Sequence, residues 1–410
     1  MRLMNLLVFV LLACLLVVPG SYVLLTLVLA AAGMASFKSI QTTWSQAWHI
    51  QPVRWIAVGT ALYVLIGLFL GWWYGYTGGY YDAFVPFILA PFVLHGIVRN
   101  RLNPIVFWLG SAAGAITAGL YASYQSLILN IGRAIGSLNN QIMFGDLSVL
   151  LACISLLGLL YCDKAQSRRW IQSVLVLGAL FGVWASLLSG SKGGWLSIVT
   201  VGLVFGWQAT SNISFQRRFA AVLGIALVLL AGFALAPADL VFNRIASGLS
   251  GAIHWFSTGE IKEESASIRL EFWWYGLQLF IEKPLLGWSN SGAYYMLSQH
   301  MQSFGYSASF DPVFENDLIH FAATAGLVGL TGIAALFFGI FRGFWYLGKL
   351  PDPVVKGLAL MGMLLVILFV EFGLSVNVLS RNAFRHVFST FAATLIGLSL
   401  LQLQPDKKGI

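Results

Sequence analysis

Long apolar runs separated by short polar breaks recur along most of this chain. Twelve of them, at 3–18, 21–36, 55–75, 84–98, 104–123, 147–162, 170–188, 195–208, 219–236, 318–341, 357–376 and 386–403, are each about long enough to carry a helix across ~30 Å of hydrocarbon at ~1.5 Å per residue. The pattern predicts an all-α polytopic membrane protein of about twelve spans. The runs at 3–18, 21–36 and 195–208 are short, and Pro19-Gly20 and Gly193-Gly194 mark tight turns beside them, so tilted hairpins change the count by up to two. One break is unlike the rest. Nine runs precede the stretch 237–317 and three follow it, which divides the chain into N-terminal spans (1–236), an extramembrane domain (237–317) and C-terminal spans (318–410).

That long stretch is not low in complexity. Trp255, Phe256, Trp273, Trp274, Trp288, Tyr294 and Tyr295 alternate there with charged and polar residues. The spacing of Ile268, Phe272, Tyr275, Leu277 and Leu279 predicts an amphipathic helix along the membrane surface, ended by Pro284 and Gly287. The aromatic residues serve equally as headgroup anchors or as stacking surfaces for a sugar.

Composition agrees with the pattern: the chain is 59% hydrophobic and 9% charged, too apolar to hide its surface in a soluble core. Charge adds orientation. Of 23 Lys and Arg, 15 fall in the short loops of one side, among them Arg54, Arg99, Arg101, Arg168, Arg169, Arg342, Lys349 and Lys356. The positive-inside rule makes that side cytoplasmic, with both termini on it and 237–317 outside. The net charge of +8 is thus topological, scattered at helix ends, and does not point to nucleic acid. The apolar N-terminus continues past any cleavage point and reads as a retained signal anchor. Cys14, Cys153 and Cys162 lie in or at the ends of spans and indicate neither a disulfide framework nor a zinc site, and no cofactor is expected.

The charges left on the outer side are candidates for chemistry. Arg133 sits in a Gly- and Asn-rich loop at 132–146, Lys192 in Ser-Gly-Ser-Lys-Gly-Gly at 189–194, and Arg269 at the start of the amphipathic stretch. Ser191, Lys192 and the two glycines offer a hydroxyl, an ammonium and free backbone amides where a helix begins, which suits an anion; a hairpin turn with a snorkelling lysine is the alternative. Glu315 and Asp317 stand at the mouth of the tenth run. Glu315 suits a general base if partial burial lifts its pKa, or else it caps the helix. His320 is the rival base, or bonds Asp317 or Asn316 on the same helical face. Glu371, inside the eleventh run, is expected to face Arg381, Arg385 or a polar cavity.

Over roughly 125–340 these motifs, in this order, resemble the O-antigen ligase and polymerase group of membrane glycosyltransferases. The stretch 189–196 is similar to the family's Ser-rich turn, with Lys192 where Arg is usual. The stretch 268–288 resembles its helix-opening Arg and Pro-Leu-Leu-Gly turn, matching Arg269 and 284–287, and Arg133 resembles an earlier periplasmic Arg. In 315–330, Asn316, Gly326 and Gly329 keep the family spacing, but Glu315 stands at the family's His.

The resemblance implies a GT-C-like bacterial inner-membrane enzyme that moves a glycan from an undecaprenyl-diphosphate carrier to a sugar hydroxyl at the periplasmic face. The acceptor would be lipid A core for a ligase or a growing glycan for a polymerase. Arg133, Lys192 and Arg269, with Ser191, Asn316 and His320 beside them, would bind the diphosphate and the rest of the substrate; Lys192 and Arg269 would also stabilise the leaving group, and Glu315 would be the base, without a metal. A transporter or flippase would need repeat symmetry that the sequence does not show, and a non-enzymatic scaffold would leave the outer cations unexplained.

Overall fold

The computed structural model describes residues 2–35, 37–162, 168–210, 214, 242–261 and 265–403. Among these there is no strand. The helices are α1 (Arg2–Ala13), α2 (Ser21–Met34), α3 (Phe37–Trp48), α4 (Gln51–Trp73), α5 (Val85–Arg99), α6 (Pro104–Ser123), α7 (Gln141–Tyr161), α8 (Arg169–Ser189), α9 (Lys192–Ala209), α10 (Phe242–Thr258), α11 (Ser265–Glu282), α12 (Asn290–Ser303), α13 (Asp317–Leu347), α14 (Pro353–Phe372) and α15 (Asn382–Leu403).

Eight helices among the described residues are long and apolar enough to cross a membrane: α4, α5 with the turn before it, α6, α7, α8, α13, α14 and α15. The runs at 3–18, 21–36 and 195–208 fall on α1, α2 and α9, outside that set, and the run at 219–236 lies outside the described residues. Hydropathy places helix centres well and ends poorly. The run at 357–376 begins at 353, because Asp352 accepts the Val355 amide at 2.9 Å and Pro353 fits the first helical position. Helix α3, a polar segment with widely spaced aromatics, is absent from a hydropathy reading.

Helix α7 is the hub, with an unbroken buried stretch from Met143 to Ser155. Elsewhere lipid offers no hydrophobic drive for helices to meet, and small residues let them approach. A Cβ on Gly59 of α4 would lie 2.4 Å from the Ala335 carbonyl of α13, and one on Gly339 2.6 Å from the Trp55 carbonyl.

Helix α13 is broken at Gly326, whose φ of 59° and ψ of −154° are not helical. The amides freed at the break donate to the turn after α11, Leu327 to the Pro284 carbonyl (2.8 Å) and Val328 to that of Leu285 (3.1 Å). In return Trp288 and Ser289 donate to the carbonyls of Ala323 (2.9 Å) and Thr324 (3.0 Å). Irregular backbone at membrane depth is tolerated only when so satisfied. The Tyr74 hydroxyl donates to the Leu286 carbonyl at 2.6 Å and ties the same turn to the end of α4.

The described part of 237–317 holds the helices α10, α11 and α12 and a non-helical stretch over 304–316. Phe272, Leu279, Ala293, Leu297, Met301 and Phe314 form its own apolar core. Buried Glu271 fastens it: Trp255 of α10 donates to one carboxylate oxygen at 2.7 Å and His300 of α12 to the other at 2.7 Å, with Tyr275 stacked on the His300 ring at 3.9 Å. The predicted amphipathic helix is α11. Its inner face carries Phe272 and Leu279, whereas Leu277 points outward with Trp274 and Ile281.

Candidate functional site

The N-terminal ends of α7 and α9, the α8–α9 turn, the helices α10 and α11, the chain entering α13 and the residues after α14 enclose one cavity of about 540 Å³. Its walls include Arg133, Ser191, Lys192, Arg269 and Glu315, so five of the seven residues singled out in the sequence meet although they span 182 positions (315 − 133). The other two do not line it. Asn316 turns inward as the cap of α13, accepting the Ile319 amide at 3.2 Å, and His320 lies on another face of that helix.

The hairpin between α8 and α9 is built from small residues. Gly190, with φ of 64°, ends α8 in the left-handed conformation that glycine adopts without penalty. Ser191 caps α9, and its hydroxyl donates to Asp146 at 2.6 Å. Asp146 is fully buried and approaches Gly194 so closely that a Cβ there would lie 3.1 Å from its carboxylate. A carboxyl group of the protein itself thus sits on the inner side of the α9 start, and Lys192 is exposed on the cavity side. A Cβ on Gly248 of α10 would come 2.9 Å from the Lys192 ammonium, so that glycine clears room for it.

Arg133 reaches across to close the end of α8, its Nε donating to the Ser189 carbonyl at 2.8 Å and a terminal nitrogen to that of Gly190 at 3.0 Å. It braces the turn that presents Lys192 as well as lining the cavity.

Arg269 and Glu315 form an ion pair through Arg269 Nε. The two terminal nitrogens of Arg269 make no hydrogen bond among the described residues. Glu315 has a φ of 48°, a left-handed conformation uncommon for a residue with a side chain, and is not the cap of α13, a role that Asn316 fills. The unusual backbone turns its carboxylate into the cavity while Asn316 and Asp317 turn inward.

Two side chains, His320 and Glu371, have partners other than the residues the sequence led one to expect. The His320 side chain bonds neither Asp317 nor Asn316; its Nδ1 is 2.9 Å from the Tyr294 hydroxyl, to which the Asn377 amide also donates at 3.3 Å. Burial, partly offset by Arg381, raises the Tyr294 phenol above its ordinary value, so it bonds as a neutral hydroxyl. Glu371 faces not Arg381 or Arg385 but α9, accepting from Ser197 and Thr200, each at 2.6 Å. Asp317 is buried against Gly373, donating its amide to the carbonyl there at 2.8 Å.

Sequence reasoning passed over Asp311, an exposed carboxylate on the cavity wall, and Ser375, on the same wall after α14. Asp311 carried a signal in its place four residues before Glu315; Ser375 carried none, being brought in by the packing of α14.

The cavity combines an exposed ammonium, a guanidinium whose two terminal nitrogens make no hydrogen bond among the described residues, and a carboxylate that its ion pair holds beside them. It can bind an anion and, next to it, accept a proton. No curated protein matches this chain. Residues 177–334 match the family model described as O-antigen ligase, and that segment holds Lys192, Arg269, Glu315, the turn at 284–287 and the Gly326 break. The match and the geometry fall on the same part of the chain, and over that segment the protein is similar to the O-antigen ligase family.

Proposed function

We propose that the protein transfers a glycan from an undecaprenyl-diphosphate carrier to a sugar hydroxyl, as a ligase acting on lipid A core. The convergence of Lys192, Arg269 and Glu315 on one cavity carries this reading. The donor's diphosphate would lie against Lys192 and the terminal nitrogens of Arg269, which neutralise charge as the bond between the anomeric carbon and the diphosphate oxygen breaks and the oxygen keeps the electron pair. The acceptor hydroxyl attacks that carbon and passes its proton to Glu315. A phosphate that draws Arg269 toward itself frees the Glu315 carboxylate, so donor binding readies the base. No protonated acid is needed, since the leaving diphosphate is stable as an anion, and the chemistry as drawn uses no metal.

The membrane arrangement follows from the same reading. We place both termini in the cytoplasm, 237–317 and the cavity at the periplasmic face of a bacterial inner membrane, and about twelve spans in all. The exposed stripes Leu249, Ile253, Phe256 on α10 and Trp274, Leu277, Ile281 on α11 would rest in the membrane interface, where the carrier lipid arrives. Glu315 in place of the family's His keeps polymerase as the alternative.

The test is the glycan profile of cells lacking the protein, complemented with wild type or Glu315→Gln. Bare lipid A core with long glycan retained on its carrier establishes the ligase, and core capped with a single repeat unit establishes the polymerase. An unchanged profile overturns both. Glu315→Gln should behave as the deletion does.

A further inference from the structure

Five residues beyond Glu315, on the opposite side of the start of α13, lies a second cavity of about 200 Å³ that shares no lining residue with the first. Its polar wall is made by Tyr63, Tyr80, Asn290, His320, Ser380 and Arg385. It is smaller than the ~300–1,000 Å³ of drug-sized ligand sites, and so has room for a single sugar or headgroup, not for a chain.

Arg385 is the unusual feature. Among the described residues its buried Nε has no hydrogen-bond partner, and its one side-chain hydrogen bond, to the Leu379 carbonyl, is long at 3.5 Å. Among the described residues no carboxylate pairs with it; the one that acts on it electrostatically, Asp82, is exposed. Buried donors are ordinarily met, and a cation at the end of a membrane helix without a counter-ion is costly. The surroundings are those of a ligand site. The Tyr63 hydroxyl makes no hydrogen bond among the described residues and lies within electrostatic reach of Arg385. His320 Nε2 is 3.5 Å from the Ser380 hydroxyl, a contact loose enough to yield to a better partner. Phe84 and Phe321 add apolar wall beside these polar groups, the mixture that receives a sugar ring.

We propose that this cavity binds a sugar bearing an anionic substituent, a phosphate or a carboxylate, with Arg385 as the counter-ion and Tyr63, His320 and Ser380 contacting the ring hydroxyls. The binding claim stands on the cavity alone. That such a sugar belongs to the acceptor, held across α13 from the donor's diphosphate, rests on the glycosyl-transfer reading above.

The experiment titrates the purified full-length protein in detergent with glucose 6-phosphate, glucuronate, glucose and inorganic phosphate, read by calorimetry and by thermal stabilisation. Both charged sugars should bind at least tenfold more tightly than glucose and than inorganic phosphate. Arg385→Gln should weaken them at least tenfold, whereas Lys192→Gln and Arg269→Gln should leave them unchanged. Arg385→Lys, which keeps the charge and loses the fork, should give an intermediate affinity and serves if the glutamine variant fails to fold. Four results overturn the proposal: no probe binds; glucose binds as well as the charged sugars; inorganic phosphate binds as well as they do, which makes free phosphate the ligand; or Lys192→Gln and Arg269→Gln abolish binding while the Arg385 variants do not, which moves the site to the first cavity. Sugar binding together with an unchanged glycan profile in the deletion strain would refute glycosyl transfer and leave this site standing.

Discussion

Glu315 is held in a left-handed backbone conformation, with φ of 48°, which costs a residue with a side chain on the order of 1 kcal/mol or more. What that conformation achieves is visible in its neighbours: Asn316 and Asp317 point inward while Glu315 meets Arg269 over the cavity. If the carboxylate is the base, Glu315→Gln should lower the transfer rate by ~10²–10⁴-fold, and Asp311→Asn, on the same wall, by no more than a few fold. A reversal of the two in a transfer assay with lipid-linked donor would make Asp311 the base. Lys192 acts as a point charge, so Lys192→Arg should keep most activity and Lys192→Gln should raise KM for the donor. Residue by residue, the structure brings Arg133, Lys192 and Arg269, three cations the sequence singled out, to the wall of one cavity. The sequence did not show that His320 leaves that site for Tyr294, or that Glu371 turns to Ser197 and Thr200. Those partners depend on how helices far apart in sequence are rotated against one another, which hydropathy does not encode.

Two motifs that look unrelated in sequence are one device at the scale of elements. The turn at 284–289 fits into the break of α13, and each glycine is required by the other segment's backbone: a Cβ on Gly287 would lie 2.5 Å from the Ala325 nitrogen, and one on Gly326 2.5 Å from the Leu285 carbonyl carbon. Gly326→Ala should destabilise the protein by on the order of 2 kcal/mol or more, from strain and overpacking together. Gly287→Ala should act on the same contact, so the double variant should cost clearly less than the sum of the singles in thermal melts. The Asn316 cap is separate from this device. Asn316→Ala should cost ~1 kcal/mol and Asn316→Asp much less, with donor KM unchanged. The spacing of Asn316, Gly326 and Gly329 was legible as a pattern. Its meaning was not, because the backbone bonds that explain it run between α13 and a turn some 40 residues earlier.

For the whole molecule, one orientation makes the helix ends functional. The N-terminal ends of α7, α9 and α13 and the C-terminal ends of α8 and α14 surround the cavity, while Arg54, Arg99, Arg168, Arg342 and Lys349 belong to the opposite ends of their helices. In the orientation proposed above, the cavity would lie on the side where a lipid-linked glycan, once flipped, presents its diphosphate. Substituted-cysteine labelling tests this directly, in a background with Cys14, Cys153 and Cys162 replaced by alanine. Ser309→Cys, exposed near the cavity rim, should react with a membrane-impermeant maleimide in cells whose outer membrane alone is permeabilised. Lys349→Cys, exposed after α13, should react only once the inner membrane is opened. Equal labelling of both in intact inner membranes would break the twelve-span topology. The inverse result would place the cavity in the cytoplasm, where nucleotide-linked sugars are at hand and a polyprenyl carrier would no longer be the natural donor. Orientation thus decides the chemistry: the same Lys192, Arg269 and Glu315 would meet different substrates on the two sides of the membrane.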